Sequence, residues 1–479
     1  MVFSSVFFLF VFLPLVVGGS LVFRRQGKNA FLLLASLVFY VWGEVTWAPI
    51  FLVSIVLNYG FGVWLGQTAR RRRVLELAIV VNLCGLAWFK YGNFAIVNLN
   101  GVAGVLGLKP LVMAPVHLPI GISFYTFHAI SYLVDVYRRR VQPQRNFVDF
   151  ALYISLFPQL VAGPIVRYHD LADQLSTHSA NVDEFAGGVR RFIIGLGKKV
   201  IIANTLALQA DAIYALQPSD LTASLAWLAA LFYTFQIYFD FSAYSDMAVG
   251  LGHLFGFRLP ENFDYPYAST SVTEFWRRWH MSLSAFFRDY VYVPLGGNRR
   301  SPTTTYRNLL TVFFLCGLWH GASWTFVVWG LYHGAFLVLE RVALGRVLAR
   351  LPRLLRHSYL LAVVVIGWVL FRAESLGVAM QRLGAMFGAA KGSGLVQHPA
   401  SFLGYDTILA CLAAGIGATP WWRRLSDVRL RLEATKTRPA VLLDATFGVL
   451  SFAALVLVFV ASVALLASGV YNPFIYFRF

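Results

Sequence analysis

Charge is what this 479-residue chain lacks. Only 13% of its residues are Asp, Glu, Lys or Arg, and only 22 are acidic, against about 25% charged in soluble domains. With 58% hydrophobic residues and uncharged runs recurring along its length, it cannot be an ordinary soluble enzyme and reads as a polytopic membrane protein. Cysteine is scarce too. Cys84, Cys316 and Cys411 stand far apart without ligand-type spacing, which excludes a disulfide scaffold and a zinc site and leaves them as apolar filler. Gly195-Leu196-Gly197-Lys198-Lys199 lacks the spacing of a phosphate loop, and Gly250-Leu251-Gly252-His253 follows no strand, so neither nucleotide fingerprint is present. No Gly-x-Ser-x-Gly elbow occurs, which disfavours a serine hydrolase. No fixed-period repeat or low-complexity linker divides the chain. Residues 1–479 therefore read as a single membrane domain.

What is present is a basic, aromatic chain: 40 Lys and Arg give a formal charge of +18, and 16% of residues are aromatic. The aromatics suit lipid-facing belts and an aromatic-lined interior. In a soluble protein the charge would suggest nucleic acid. Here the basic residues cluster between apolar runs, as cytoplasmic loops do. Arg24, Arg25 and Lys28 follow the apolar run Met1–Phe23. A cleaved leader carries its charges before the apolar run, so this order predicts a retained span with an outside N-terminus. Further spans are expected at Ala30–Trp42, Trp47–Leu65, Val74–Leu99 and Leu118–Tyr137, with basic blocks at Arg70–Arg73 and Arg138–Arg140. Two spans separate each block from the next, so all three fall on one side.

The rest of the chain is less regular. Phe147–Val166 carries Pro158, Gly163 and Pro164 and is expected to be a broken or re-entrant segment. Phe192–Leu216 and Leu221–Phe255 read as long helices. Pro260–Arg300 mixes charges with Trp, Phe and Tyr, as amphipathic helices lying at a membrane interface or dipping into it do. Asn308–Leu339 fits a hairpin of two helical pieces. After the basic stretch Arg341–Arg356, the runs Tyr359–Phe371, Phe402–Gly417 and Val441–Ala467 complete the set, with Arg423–Lys436 between the last two. The fold class is an all-α integral membrane bundle of about eleven transmembrane segments.

Ionisable residues within apolar spans are candidate functional groups. His320, in Gly317-Leu318-Trp319-His320-Gly321, lies deep in the Asn308–Leu339 stretch. An imidazole there can exchange a proton near neutral pH, or can be a structural histidine bonded across helices. Gly317 and Gly321 let a backbone or substrate approach closely. His333, with nothing polar beside it, fits the structural role better. Glu274-Phe275-Trp276-Arg277-Arg278-Trp279-His280 places His280 after an aromatic and basic run. Such a run either grips phosphates and stacks on an adenine ring or anchors lipid headgroups. Asp240 and Asp246, six residues apart, do not share a helical face and are expected to pair separately, with the arginines of 260–300 as candidates. His128, Ser131 and Asp135 share one face, as an interhelical hydrogen-bonded seam requires.

Trp319-His320-Gly321, preceded by Phe275-Trp276-Arg277-Arg278-Trp279-His280-Met281-Ser282-Leu283 and Phe287-Arg288-Asp289-Tyr290-Val291-Tyr292, resembles the membrane-bound O-acyltransferase family. Pro119–Phe124, Phe157–Ile165 and Phe239–Asp246 look like the bacterial branch that O-acetylates exported polysaccharide such as alginate. The motif-bearing core spans about residues 119–340, and the helices of 359–479 are less informative. The resemblance implies a central tunnel through the bundle, a bacterial inner-membrane location and no permanently bound cofactor or metal. It implies His320 as the catalytic histidine and His280 as the second histidine. An acetyl group would pass from a cytoplasmic thioester, acetyl-CoA in the first instance, to a periplasmic acyl-accepting protein and the polysaccharide. Arg277, Arg278, Trp276, Lys198 and Lys199 are then candidates for binding the donor, and His280 for orienting its carbonyl or stabilising the developing charge. The alternative in the same fold is D-alanyl transfer to teichoic acid. Outside it, a transporter or flippase would move substrate without breaking a thioester, and a scaffold would need His320 only for stability.

Overall fold

The structure is a computed structural model of the chain and describes all residues except 24, 391, 393–396, 435–437, 470 and 475–479. Arg24 and Lys436, members of two of the basic blocks, lie outside the described residues. Among the described residues the architecture is helical throughout, and the one β feature is an isolated antiparallel bridge between Phe263 and Trp279. Six helices are long and apolar enough to cross a membrane: Ala48–Gln67, Arg71–Val105, Val182–Tyr214, Trp324–Arg350, Arg353–Arg372 and Leu443–Ala467. Other expected spans are shorter helices, such as Phe8–Val22, Gly27–Gly43 and Tyr405–Gly417. The chain is a multi-pass membrane protein.

At the centre stands the helix Ala223–Phe255, opened by Thr222, whose hydroxyl accepts from the Leu225 N–H at 3.2 Å. Most of its residues are buried on every side, as expected of a helix surrounded by protein. Its carboxylates do pair separately, but not with the arginines of 260–300. Asp246 meets Lys198 at 2.7 Å and Arg191 at 2.9 Å, and Asp240 meets Lys199 at 2.7 Å. The reason is packing: the rod Val182–Tyr214 lies along the central helix and supplies every one of these cations.

Phe147–Val166 is broken, as its prolines require. A helix runs Phe147–Ser155, Leu156 leaves helical geometry, a single turn follows at Phe157–Leu160, and a turn over 161–163 leads into irregular chain to Val166. The face of His128, Ser131 and Asp135 forms the expected seam. The Ser131 hydroxyl is 2.9 Å from the Tyr153 hydroxyl, Asp135 is 2.7 Å from His169, and the Tyr290 hydroxyl donates to Asp135 at 3.0 Å.

Of the two arrangements expected for the 260–300 region, the structure shows helices that enter the protein rather than lie on its surface. Its short helices Val272–Arg278 and Met281–Phe287 bury Phe275, Trp276, Leu283 and Phe286 in protein, with Trp279 between them. Trp276 meets Phe313, Trp329 and His333 edge-on at centroid distances of 5.1–5.6 Å. It is a core residue, so its ring is not available to stack on an adenine.

Candidate active site

Asn308–Leu339 is a helical hairpin. Ser301 caps the helix Pro302–His320, and Ser323 caps its partner Trp324–Leu339. The two helices cross in close contact because Gly317 and Gly330 face each other. A Cβ on Gly317 would run into the Phe326 carbonyl, and one on Gly330 into that of Phe313. Small residues at such a crossing let backbones approach, which is how helices associate where lipid offers no hydrophobic drive. Gly321 adjoins the Phe326 ring instead of a backbone.

The crossing fixes His320 as the last residue of its helix, about 27 Å from Pro302 at 1.5 Å per residue. Its ring is buried among Trp319, Trp329 and Phe371 at 5.0–5.3 Å, and its Nδ1 has no hydrogen-bond partner among the described residues. His280 lies 6.4 Å away, centroid to centroid. The structure therefore brings together the two histidines that the sequence left 40 residues apart.

His280 caps Met281–Phe287 in a left-handed conformation, φ 46° and ψ 55°. For a non-glycine residue this costs about 1–3 kcal/mol, and a clamp holds it there. The Asn262 side-chain oxygen meets His280 Nδ1 at 3.1 Å, the Ser282 N–H at 3.2 Å and the Ser282 hydroxyl at 2.9 Å. The Ser282 hydroxyl in turn accepts from the Ile165 N–H at 2.9 Å, which ties the broken Phe157–Ile165 segment to the site. Because a backbone N–H must donate to Asn262, the amide orientation is set, and its oxygen requires a proton on His280 Nδ1. A neutral His280 then carries a lone pair, not a proton, on Nε2.

His320 lines a cavity of about 420 Å³ together with Lys90, His117, Ser123 and the Leu118–Phe124 stretch. That size suits a small ligand. Lys90 lies within the apolar helix Arg71–Val105. Its ammonium donates to the Trp319 carbonyl, and it lies 3.5 Å from the His320 carbonyl and 3.3 Å from the Ser123 hydroxyl. Tyr91 adds a bond to the Leu318 carbonyl at 2.8 Å. The open carbonyls at the end of the His320 helix are thus satisfied by a cation at the negative end of the helix dipole. Lys90 and Ser123 were missed in the sequence reading. The available signal was a lysine inside an apolar run, Trp88-Phe89-Lys90-Tyr91, a costly placement that marks candidate sites.

The other expected site residues are elsewhere. Lys198 and Lys199 are held by Asp246 and Asp240, so neither has charge to spare for a phosphate. Arg278 pairs with Glu274 at 3.0 Å. Arg277 is exposed, with no ion pair among the described residues. His333 is fully buried, and neither ring nitrogen has a hydrogen-bond partner among the described residues.

Arg70–Arg73 and Arg139 line one open basin, so two of the basic blocks do share an end of the bundle. The His320 cavity is at the other end of the same helices. Ile122–Tyr137 starts at the cavity and ends at the basin, about 23 Å apart, and Lys90 is about 29 Å along its helix from Arg71.

The sequence profile of MBOAT, the membrane-bound O-acyltransferase family, matches residues 121–380. This chain belongs to that family. The match spans the cavity-lining segment from Gly121, both histidines and Phe371. Among curated proteins, the chain is 43% identical to the probable alginate O-acetylases AlgI of Azotobacter vinelandii and Pseudomonas putida, over the whole of each chain. It is 37% identical to the peptidoglycan O-acetyltransferase of Helicobacter pylori, over 81% of this chain and 80% of that one. As a member of the membrane-bound O-acyltransferase family, it is an enzyme that transfers acyl groups to oxygen.

Proposed function

We propose that this acyltransferase takes an acetyl group from a cytoplasmic thioester, acetyl-CoA, and delivers it across the inner membrane for O-acetylation of an exported polysaccharide, alginate, through a periplasmic acyl-accepting protein. The observation that carries this reading is His320, buried at a helix end in the wall of a cavity and facing a second, clamped histidine. Full-length similarity to alginate O-acetylases supports the polymer and the acetyl group.

The basic basin marks the cytoplasmic end by the positive-inside rule. The cavity then opens toward the other compartment, which makes it the approach for the acceptor hydroxyl. The thioester must reach His320 from the cytoplasmic side, through the bundle. Of the expected donor-binding cations, Arg277 is the one with no ion pair among the described residues, which makes it the candidate to meet the donor's phosphates. At His320, a ring nitrogen takes the proton of the acceptor hydroxyl as its oxygen attacks the thioester carbonyl carbon. The carbon–sulfur bond then breaks, and the imidazolium returns the proton to the departing sulfur. His280, with its proton fixed toward Asn262, offers an accepting nitrogen and so orients or relays. A neutral ring in that tautomer has no proton with which to stabilise an oxyanion. The aromatic walls limit competing hydrolysis.

The test uses full-length protein in vesicles, with acetyl-labelled coenzyme A on the face bearing Arg70–Arg73 and the periplasmic fraction with alginate oligosaccharide on the other. Labelled ester on the oligosaccharide is expected. Substrate movement with the thioester left intact would indicate a transporter instead.

A further inference from the structure

A half-buried ammonium within an apolar span is costly unless something needs its charge. Lys90 shows no carboxylate partner among the described residues; its neighbours are two backbone carbonyls, the Ser123 hydroxyl and, at 5.7 Å, the Trp319 ring. The ion pairs along the central helix solve the same problem with acids. At Lys90 the charge instead faces the cavity that His320 lines.

The hydroxyl beside it completes the pattern. Ser123 is buried and lines the same cavity. Its oxygen accepts from Lys90, so its own proton is left to donate, and no described group takes it. Ser123 also sits in the first turn of the helix Ile122–Tyr137, where the positive end of the helix dipole adds to the field. A polarised O–H, a nearby ammonium and a helix N-terminus thus converge on one small cavity, the arrangement that stabilises a developing oxyanion. His280 does not line that cavity.

We propose that Ser123, polarised by the ammonium of Lys90, donates the hydrogen bond that stabilises the oxyanion formed as the acceptor oxygen attacks the acyl carbon beside His320. Ser123 is then a catalytic residue. Lys90 is a positioning residue that acts through Ser123 and through the carbonyls anchoring the end of the His320 helix. The hydroxyl only donates and withdraws a hydrogen bond, so the balance of the transfer is unchanged. The inference rests on His320 being the reacting imidazole.

The experiment expresses full-length variants as the sole copy in cells and follows the initial rate at which ester-linked acetyl appears in exported polysaccharide and peptidoglycan, normalised to membrane protein. Ser123→Ala is expected to lower the rate roughly 10²–10³-fold, the usual effect of losing one such donor. Lys90→Met should fall into the same range and Lys90→Arg recover part of it. The double variant Ser123→Ala/Lys90→Met should be no slower than the slower single, since the two act as a unit. If Lys90→Met does not accumulate, Ser123→Ala decides alone. A normal rate for Ser123→Ala overturns the proposal, and effects that multiply in the double variant overturn the coupling. His320→Ala run in parallel keeps the failures apart. If it is active, the reading of His320 falls; if it is inactive while Ser123→Ala is normal, only the role of Ser123 falls.

Discussion

Two polar clusters inside this greasy bundle deserve to be set side by side. Along the central helix, Asp240 and Asp246 meet Lys199, Lys198 and Arg191, and the Lys199–Asp240 pair is almost wholly enclosed, with side chains 4% and 2% exposed. At the His320 cavity a lysine meets carbonyls and a hydroxyl, one imidazole nitrogen has no hydrogen-bond partner among the described residues, and space for a ligand adjoins them. Matched acid and base in a closed space hold helices together. Unmatched polar groups facing a cavity are kept for something that arrives. Residue type alone would have ranked the two clusters the other way, since the first contains more charges.

That contrast can be broken experimentally. Lys199→Met leaves Asp240 buried without its cation, so about 3–5 kcal/mol of stability should be lost. Membrane protein levels should collapse, while Lys199→Met/Asp240→Asn should recover much of the level. Asn262→Ala removes the acceptor shared by His280 and Ser282, and about 1–3 kcal/mol should appear as a lower thermal midpoint in detergent. The rate should also drop as the His280 ring loses its orientation. Arg277→Ala touches no ion pair, so its effect should be confined to a higher KM for acetyl-CoA at unchanged kcat; an unchanged KM would make Arg277 a lipid anchor.

The smallest effect concerns Asp289. Burial works against its ionisation, but Arg288 and Arg167 outweigh this and hold its carboxyl below the usual range. A depressed carboxylate contributes stability above its unfolded-state pKa and loses it as pH falls through the folded value. Asp289→Asn should therefore lower the thermal midpoint at neutral pH, and the gap from the parent should close in acid. A gap independent of pH would assign the loss to packing.

Helix phase and punctuation carried the sequence reading a long way. The hairpin around His320, the break at Leu156 and the seam of His128, Ser131 and Asp135 all follow from local patterns of glycine, proline and spacing. What phase does not encode is which helix lies opposite. Asp240 and Asp246 were expected to separate, and they do, but their cations come from Val182–Tyr214 and not from the richer supply at 260–300. Trp276 has the neighbours of a headgroup or adenine-binding residue, yet its side of the short helix is turned into Phe313 and Trp329. Lys90 belongs to no motif, Ser123 lies in the Pro119–Phe124 segment without marking itself as a site residue, and only tertiary packing brings the two to His320 across separations of about 200 residues. Two of the three basic blocks, Arg70–Arg73 and Arg138–Arg140, do share an end of the bundle, and the same helices then locate the cavity at the far end.

The most direct measurement is ester-linked acetyl in exported polysaccharide, normalised to membrane protein, for His320→Ala beside Lys199→Met/Asp240→Asn. The account predicts acetylation reduced to background in the first, by roughly 10²–10⁴-fold for loss of a general base, and near-normal acetylation per molecule in the second. Normal acetylation by His320→Ala, or its loss only in the charge-pair variant, would contradict it.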